Sequence, residues 1–150
     1  MTPPELPPNG PRLTLGVPKD QCGRGERVLH IDDEPAGTSM FCRMLVKLGY
    51  RVESFNLPAS AVERLRTDPL SFDVVITDLM MPDMNGLEVA NAVRRLRPDL
   101  PVILLSAFSA SFSSTTIRAN GICEIIEKPA PINTLAAVLR RVLDRPTLQA

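Results

Sequence analysis

Residues 74–86, with the sequence VVITDLMMPDMNG, combine an apolar run, one aspartate and a turn. The apolar run has no polar alternation, which is typical of a strand that is covered on both faces of a sheet. Asp78 ends this strand, and the turn from Pro82 to Gly86 interrupts regular structure before the next helix. The segment therefore predicts a buried strand whose carboxyl end carries a carboxylate beside a loop.

Short apolar strands and amphipathic helices alternate on both sides of this segment. Asn56 is expected to cap the second helix, and Gly49 is expected to end the first. Strands are predicted at about 27–31, 50–55, 72–78, 101–106 and 123–127, and helices at about 35–48, 56–66, 87–96, 109–120 and 131–144. This alternation predicts an α/β fold with a doubly wound five-stranded parallel sheet and helices on both faces.

The composition indicates one domain with a short arm at each end. Residues 1–26 hold six of the fifteen prolines and four of the eight glycines, and they lack periodicity. We therefore predict a flexible Pro/Gly-rich arm or linker there, a domain at 27–144 and a tail at 145–150. A tail of six residues is too short for a DNA-binding output domain, which needs about 50 residues or more.

Charge and cysteine content exclude several classes of partner. The formal net charge is zero and the pI is near 6.6, so no nucleic-acid or anionic membrane surface is expected. No apolar run approaches the roughly 18 residues of a membrane span, and no signal peptide is visible. The three scattered cysteines favour a reducing cytoplasm over a disulfide framework or a zinc site.

Polar residues follow four of the five predicted strands. Asp32 and Asp33 follow the first, Asp78 ends the third, Ser106 ends the fourth, and Lys128 follows the fifth. Because ligands of open parallel sheets bind at the carboxyl ends of the strands, we expect these side chains to meet in one crevice. Three clustered carboxylates either protonate or recruit a hard cation such as Mg²⁺. With a lysine and a hydroxyl beside a nucleophilic carboxylate, the set predicts phosphoryl transfer.

Four motifs carry a family resemblance. VLHIDDEP, VVITDLMMPDMNGLEV, VILLSAFS and EIIEKP resemble, in that order, the motifs of the receiver domain of two-component response regulators. The likeness covers roughly residues 27–143. It implies a flavodoxin-like receiver fold with strand order 2-1-3-4-5. It also implies a signalling phosphoacceptor, which catalyses only its own phosphotransfer and dephosphorylation.

The resemblance assigns roles to the residues at the strand ends. Asp78 is then the phosphoacceptor, and Ser106 and Lys128 contact the phosphoryl oxygens. The implied Mg²⁺ ligands are Asp33, Asp78, the backbone carbonyl of Met80, and Asp32 either directly or through water.

The same resemblance implies partners. The phosphoryl donor would be a phosphohistidine on a histidine kinase or a histidine phosphotransfer domain. Phosphorylation would then change the face formed by helix four, strand five and helix five, which could bind a partner or form a homodimer. Ile125 stands where the family often has an aromatic residue, so aromatic coupling to this face is not expected. Met80 and Phe108 are apolar at positions facing the hydrolytic water, which predicts a long phosphoryl lifetime.

Three alternatives remain open. The chain resembles both a stand-alone receiver and the C-terminal receiver of a hybrid histidine kinase. An interaction module that has lost phosphorylation is a second alternative. A Mg²⁺-dependent aspartyl-phosphate phosphohydrolase of the haloacid dehalogenase type is a third, but its DxDx[TV] motif is poorly matched by the sequence at 32–34.

His30 and the segment at 106–120 each carry a local signal. His30 lies inside the first strand and is expected to be a packed core residue rather than a phosphotransfer histidine. The Ser/Thr-rich segment at 106–120 forms helix poorly, so a short or mobile fourth helix is expected, and an ordinary helix with a polar outer face is the alternative.

Overall fold

The computed structural model describes residues 16–107 and 113–145 of the chain. Within them, one parallel sheet has the order β2-β1-β3-β4-β5, which confirms the predicted topology. The strands are β1 (Arg27–Ile31), β2 (Arg51–Phe55), β3 (Val74–Asp78), β4 (Val102–Ser106) and β5 (Ile122–Glu127). The helices are α1 (Pro35–Leu48), α2 (Pro58–Thr67), α3 (Gly86–Leu96), α4 (Ser114–Ala119) and α5 (Ile132–Leu143).

The core has two layers because alternate side chains of each strand point to opposite faces of the sheet. One layer joins the sheet to α1 and α5, through residues that include Val28, Leu45, Leu48, Val74, Ile76, Ile103, Leu135 and Leu139. The other layer joins it to α2 and α3, through residues that include Leu29, Ile31, Ala61, Leu65, Val75, Val89, Val93 and Leu104. Every residue of β3 is buried, as its apolar sequence predicts.

Helix ends follow local sequence signals, with one exception. Gly49 ends α1 at a left-handed φ of 105°, as predicted. Asn85 caps α3 because its side chain accepts a hydrogen bond from the Glu88 amide. The prediction that Asn56 caps α2 was wrong: Leu57 is the N-cap residue, and the Asn56 amide donates to the backbone carbonyl at the end of β1.

The described part of α4 is six residues long. Ser113 caps it, because its hydroxyl accepts a hydrogen bond from the Thr116 amide. Residues 108–112, which include Phe108 and the predicted start of this helix, lie outside the described residues. The predicted mobility of this region stays a prediction.

The packed part of the chain begins before the predicted boundary at Arg27. Val17 and Cys22 are buried in the core layer of α1 and α5. The Gly23 amide donates to the Leu48 carbonyl at 2.6 Å, and a Cβ atom at Gly23 would lie 2.9 Å from the Tyr50 ring. Residues 16–26 therefore form a strap on the domain, although their composition predicts an arm. Residues 1–15 lie outside the described residues.

Arg140 of α5 connects this strap to the domain. Its side chain is nearly buried, and the guanidinium donates to the Cys22 carbonyl at 3.1 Å, to Glu26 at 2.6 Å and to Asp144 at 3.0 Å. Burial lowers the pKa of Arg140, but the hydrogen bonds with Asp144 and Glu26 outweigh it, and the pKa rises above its ordinary value. The guanidinium is therefore a permanent cation in this contact.

His30 is fully buried in β1, as predicted. Its ring stacks on Phe41 at 4.6 Å between centroids, and its Nδ1 lies 3.0 Å from the Ser54 hydroxyl. Burial lowers the pKa of His30 to about 4, and the charge of Lys128 also lowers it, while Asp32 opposes the shift. His30 is therefore neutral in the folded protein at neutral pH.

This depressed pKa predicts a loss of stability in mild acid. Above about pH 6.5, His30 is neutral in both the folded and the unfolded protein. Below that pH, the histidine of the unfolded chain becomes protonated while His30 of the folded protein stays neutral. The free energy of unfolding should therefore fall between about pH 6.5 and pH 4, and His30 should account for about 2 kcal/mol of the loss by pH 5. Denaturant unfolding followed by circular dichroism, at pH 7.5 and pH 5, measures this loss in the wild type and in His30→Leu. The pH-dependent loss should be about 2 kcal/mol smaller in the variant; equal losses would contradict the prediction.

Among the described residues, no helix combines the length and the apolar character needed to cross a bilayer.

Candidate functional site

Three carboxylates meet at the carboxyl ends of β1 and β3. Ile31 is paired with Thr77 in the sheet, so Asp32 and Asp78 each come one residue later along two adjacent strands. Asp33 lies on the turn beyond β1. One carboxylate oxygen from each of the three aspartates lies within 4.8 Å of the others. Asp32 and Asp78 are buried and Asp33 is half-buried, so their charges are poorly screened by water.

Lys128, directly after β5, supplies a positive charge to this cluster. Its ammonium group lies 3.0 Å from Asp78 Oδ2 and 3.7 Å from Asp32 Oδ2. Its backbone amide donates to the Ser106 carbonyl, which extends the pairing of β4 and β5 by one residue. Burial lowers the pKa of Lys128, but the hydrogen bond with Asp78 and the charges of Asp78 and Asp32 raise it above its ordinary value. Lys128 is therefore charged at neutral pH.

Ser106 and Met80 occupy the edges of the same region. Ser106 is buried at the end of β4, one residue beyond the partner of Asp78 in the sheet, Leu105. Met80 follows β3 by two residues, and the residue is 72% exposed. The structure thus brings together Asp32, Asp33, Asp78 and Lys128, and places Ser106 on the adjoining strand end.

Gly86 explains why the chain turns sharply after Asp78. Its amide donates to the Leu79 carbonyl at 2.9 Å, so α3 begins directly against the end of β3. A Cβ atom at Gly86 would lie 2.6 Å from the Asp78 carbonyl oxygen and 2.4 Å from a methyl carbon of Leu104. Only glycine permits this approach, and the two ends of the intervening loop of residues 79–85 are therefore held together at the end of β3.

Thr38 and Asn56 also contact the site, although neither is among the site residues predicted from the sequence. The Asn56 side-chain amide donates to the Asp32 carbonyl at 2.9 Å and to the Thr38 hydroxyl at 3.1 Å. The position of Asn56, directly after the strand that neighbours β1, was the available signal. Asparagine directly before a helix is usually predicted to be an N-cap residue, so a role for Asn56 at the site was not predicted.

The donor set fits a hard divalent cation. Carboxylate oxygens are the ligands that Mg²⁺ prefers, and it commonly binds one or two carboxylates with water in the remaining positions. Three converging carboxylates offer more negative charge than Lys128 alone neutralises. Chemically, the arrangement offers a nucleophilic carboxylate, a cation site and an ammonium group that can follow an anion.

Comparison with known proteins identifies the family. Residues 28–140 match the model of the response regulator receiver domain. The two-component response regulator ORR24 of Oryza sativa subsp. indica is 33% identical over 135 residues, which are 90% of this chain and 21% of that protein. The two-component response regulator ARR10 of Arabidopsis thaliana is 35% identical over 130 residues, which are 87% of this chain and 23% of that protein. The chain thus spans about a fifth of the length of these curated relatives.

Solved structures agree with this match. The chemotaxis protein CheY4 of Vibrio cholerae superposes with a TM-score of 0.73 at 30% identity, covering 79% of this chain and 99% of that chain. The response regulator TrrA of Thermotoga maritima, solved in complex with Mg²⁺–BeF, gives a TM-score of 0.69 at 29% identity, with coverage of 79% and 99%. With its strand order and its acidic strand ends, the chain therefore belongs to the response regulator receiver domain family of two-component signal transduction.

Proposed function

We propose that this chain is a phosphoacceptor in which Asp78 receives a phosphoryl group from a phosphohistidine of a histidine kinase or a histidine phosphotransfer domain. The observation that carries this proposal is the 3.0 Å contact between the Lys128 ammonium group and Asp78 Oδ2, inside a cluster of three carboxylates. The ammonium group marks where negative charge must be stabilised, and Asp78 is the carboxylate it touches most closely. Family membership gives no support to a haloacid dehalogenase-type hydrolase.

The reaction exchanges one bond to phosphorus for another. A carboxylate oxygen of Asp78 attacks phosphorus, and the new P–O bond forms as the P–N bond to the donor imidazole breaks. The electron pair of the P–N bond stays on the imidazole nitrogen, which leaves as neutral imidazole when its other nitrogen carries a proton. Lys128 would transfer its contact from Asp78 to the phosphoryl oxygens, and the Ser106 hydroxyl would donate a further hydrogen bond to them.

The carboxylates of Asp32, Asp33 and Asp78, with the backbone carbonyl of Met80, would hold Mg²⁺. When bound, this ion supplies positive charge that stabilises the phosphoryl oxygens during transfer. The Mg²⁺–BeF complex of TrrA, a relative with the same fold, supports the choice of metal.

Phosphorylation would then change an interaction surface. The phosphoryl group carries about −1.5 to −2 charges in place of the single charge of the Asp78 carboxylate, and it would draw Lys128 and Ser106 toward it. Both residues lie at ends of β4 and β5, so we propose that the face of α4, β5 and α5 responds and binds a protein partner or a second copy. Ile125 is half-buried against the core layer of α2 and α3, so the response would not use an aromatic side chain. We propose no nucleic-acid or membrane partner.

We place this function in the cytoplasm. The three cysteines, Cys22, Cys42 and Cys123, are all free thiols, which is typical of a reducing compartment.

The intact mass of the protein after incubation with acetyl phosphate tests the proposal. The expected result is one phosphoryl adduct in the presence of Mg²⁺ and none when a chelator replaces the metal ion. Beryllofluoride binding, followed by the Mg²⁺-dependent change of melting temperature, provides an independent measurement. A protein that neither forms the adduct nor binds beryllofluoride would be an interaction module without phosphorylation.

Met80 is expected to lengthen the lifetime of the adduct. Its exposed thioether cannot orient a water molecule for attack on phosphorus, whereas an amide at this position can. Met80→Asn should therefore speed hydrolysis by about tenfold, which corresponds to about 1.4 kcal/mol. The loss of the adduct mass over time measures this rate. Met40→Asn is the control, because Met40 is an exposed methionine that lies on α1, and it should leave the rate unchanged. Equal decay in Met80→Asn and wild type would refute the role of Met80.

A further inference from the structure

We propose that Thr38 and Asn56 are positioning residues that hold the Asp32–Asp33 turn in the geometry that binds Mg²⁺. This inference rests on the proposed function, since it concerns the metal site of the phosphoacceptor. Both residues lie outside the acidic cluster, and they act on it through the backbone of Asp32.

The backbone of Asp32 is fixed on both sides. Its amide donates to the Phe55 carbonyl at 3.1 Å, at the end of β2. Its carbonyl accepts two hydrogen bonds, one from the Asn56 side-chain amide at 2.9 Å and one from the Thr38 hydroxyl at 3.1 Å. The peptide groups before and after the Asp32 side chain are thus tied to neighbouring elements.

Thr38 connects three parts of the fold at this point. It is buried in α1, and its single hydroxyl proton is shared between the Glu34 carbonyl at 2.8 Å and the Asp32 carbonyl at 3.1 Å. The hydroxyl oxygen also accepts a hydrogen bond from Asn56 at 3.1 Å. The end of β1, the first turns of α1 and the loop after β2 therefore meet at one hydroxyl group. Its removal would leave the Asp32 carbonyl held by Asn56 alone.

The fixed backbone orients the Asp32 carboxylate. One oxygen accepts a hydrogen bond from the Glu34 amide at 3.0 Å, and the other faces the Lys128 ammonium group at 3.7 Å. The carboxylate is therefore held within 4.8 Å of Asp33 and Asp78, against the repulsion between the three charges. Without the two hydrogen bonds to the Asp32 carbonyl, the turn would relax in the direction that separates the charges.

This arrangement predicts that loss of either residue weakens Mg²⁺ binding but not the reactivity of Asp78. Metal affinity depends on the separation of the carboxylates, so it should fall when either hydrogen bond is removed. The nucleophile Asp78 lies on β3 and makes no contact with Thr38 or Asn56 among the hydrogen bonds of the described residues, so its reactivity should be retained once the metal site is saturated. A purely structural role would lower the melting temperature without this selective loss.

The test is calorimetric titration of the whole chain with Mg²⁺ alone. Thr38→Val removes the hydroxyl at nearly constant shape, and Asn56→Ala removes the amide from an exposed side chain, so the second variant remains informative if the first folds poorly. We expect the Kd for Mg²⁺ to rise about tenfold in each, which is the effect usually seen for outer-shell partners of metal ligands. Adduct formation from acetyl phosphate at saturating Mg²⁺ should stay within about twofold of wild type, which is below the loss typical of a removed transition-state contact.

Two controls separate positioning from general damage. Thr38→Ser keeps the hydroxyl and should restore the wild-type Kd. Thr67→Val makes the same chemical change in an exposed threonine of α2, whose hydroxyl donates to the Arg64 carbonyl at 2.8 Å, and should leave the Kd unchanged. An unchanged Kd in both site variants, beside a wild type that binds Mg²⁺, would overturn the positioning role alone. A wild type that binds no Mg²⁺ would overturn this inference together with the metal requirement of the proposed function.

Discussion

Asp78→Asn is expected to abolish the phosphoryl adduct completely under conditions that phosphorylate the wild type. The carboxamide has nearly the same shape as the carboxylate, but its oxygen is neutral and a poor nucleophile. The variant also removes the negative partner that lies 3.0 Å from the Lys128 ammonium group. Intact mass after incubation with acetyl phosphate and Mg²⁺ measures the loss directly, and circular dichroism verifies that the fold is retained.

Asp83→Asn is the matched control for this change. Asp83 is exposed in the same loop, so the same loss of one charge close to the site should leave the adduct yield unchanged. If Asp78→Asn still formed the adduct with the wild-type yield, Asp78 would not be the phosphoacceptor. If both variants lost it, the net charge near the site would matter more than the identity of the acceptor.

Arg140→Leu is expected to lower the free energy of unfolding by about 3 kcal/mol, because removing one partner of a buried ion pair typically costs about 3–5 kcal/mol. The side chain of Arg140 is only 8% exposed, and its loss leaves the Cys22 carbonyl without its donor and takes the cation away from the Glu26 carboxylate, which keeps the Arg24 amide as a donor. Asp144 is half-exposed and recovers hydration, so the lower end of that range is expected. Denaturant unfolding of the whole chain, followed by circular dichroism, measures the change.

The neighbouring residue supplies the control for Arg140. Arg141 pairs with Glu124 at 3.0 Å, but its side chain is 54% exposed. Arg141→Leu should therefore cost less than about 1 kcal/mol, as is usual for surface ion pairs. Similar losses of unfolding free energy in the two variants would mean that the strap of residues 16–26 does not stabilise the domain through Arg140. The stable domain would then begin at about residue 27.

Much of the fold follows from the sequence because its signals are local. The apolar run of β3, the helical spacing of α1 and the glycine at position 49 each act within a few residues, so strand type and helix ends could be predicted. The meeting of Asp32, Asp78 and Lys128 was predictable for a related reason. Parallel strands bring their carboxyl ends to one edge, so the residue that follows each strand is placed there by topology alone.

Contacts between residues that are distant in the sequence could be seen only in the tertiary structure. Arg140 is separated from Cys22 by 118 residues, and its burial depends on a partner in a segment whose composition predicts an arm. Asn56 has a side chain suited to a helix cap, but the neighbouring strand end offers its amide the Asp32 carbonyl instead. A polar side chain can form its hydrogen bond with a local or a distant group. Which of the two it contacts depends on which one the fold brings within hydrogen-bond distance. That distance is set by the sheet register and the helix packing, which no short stretch of sequence contains.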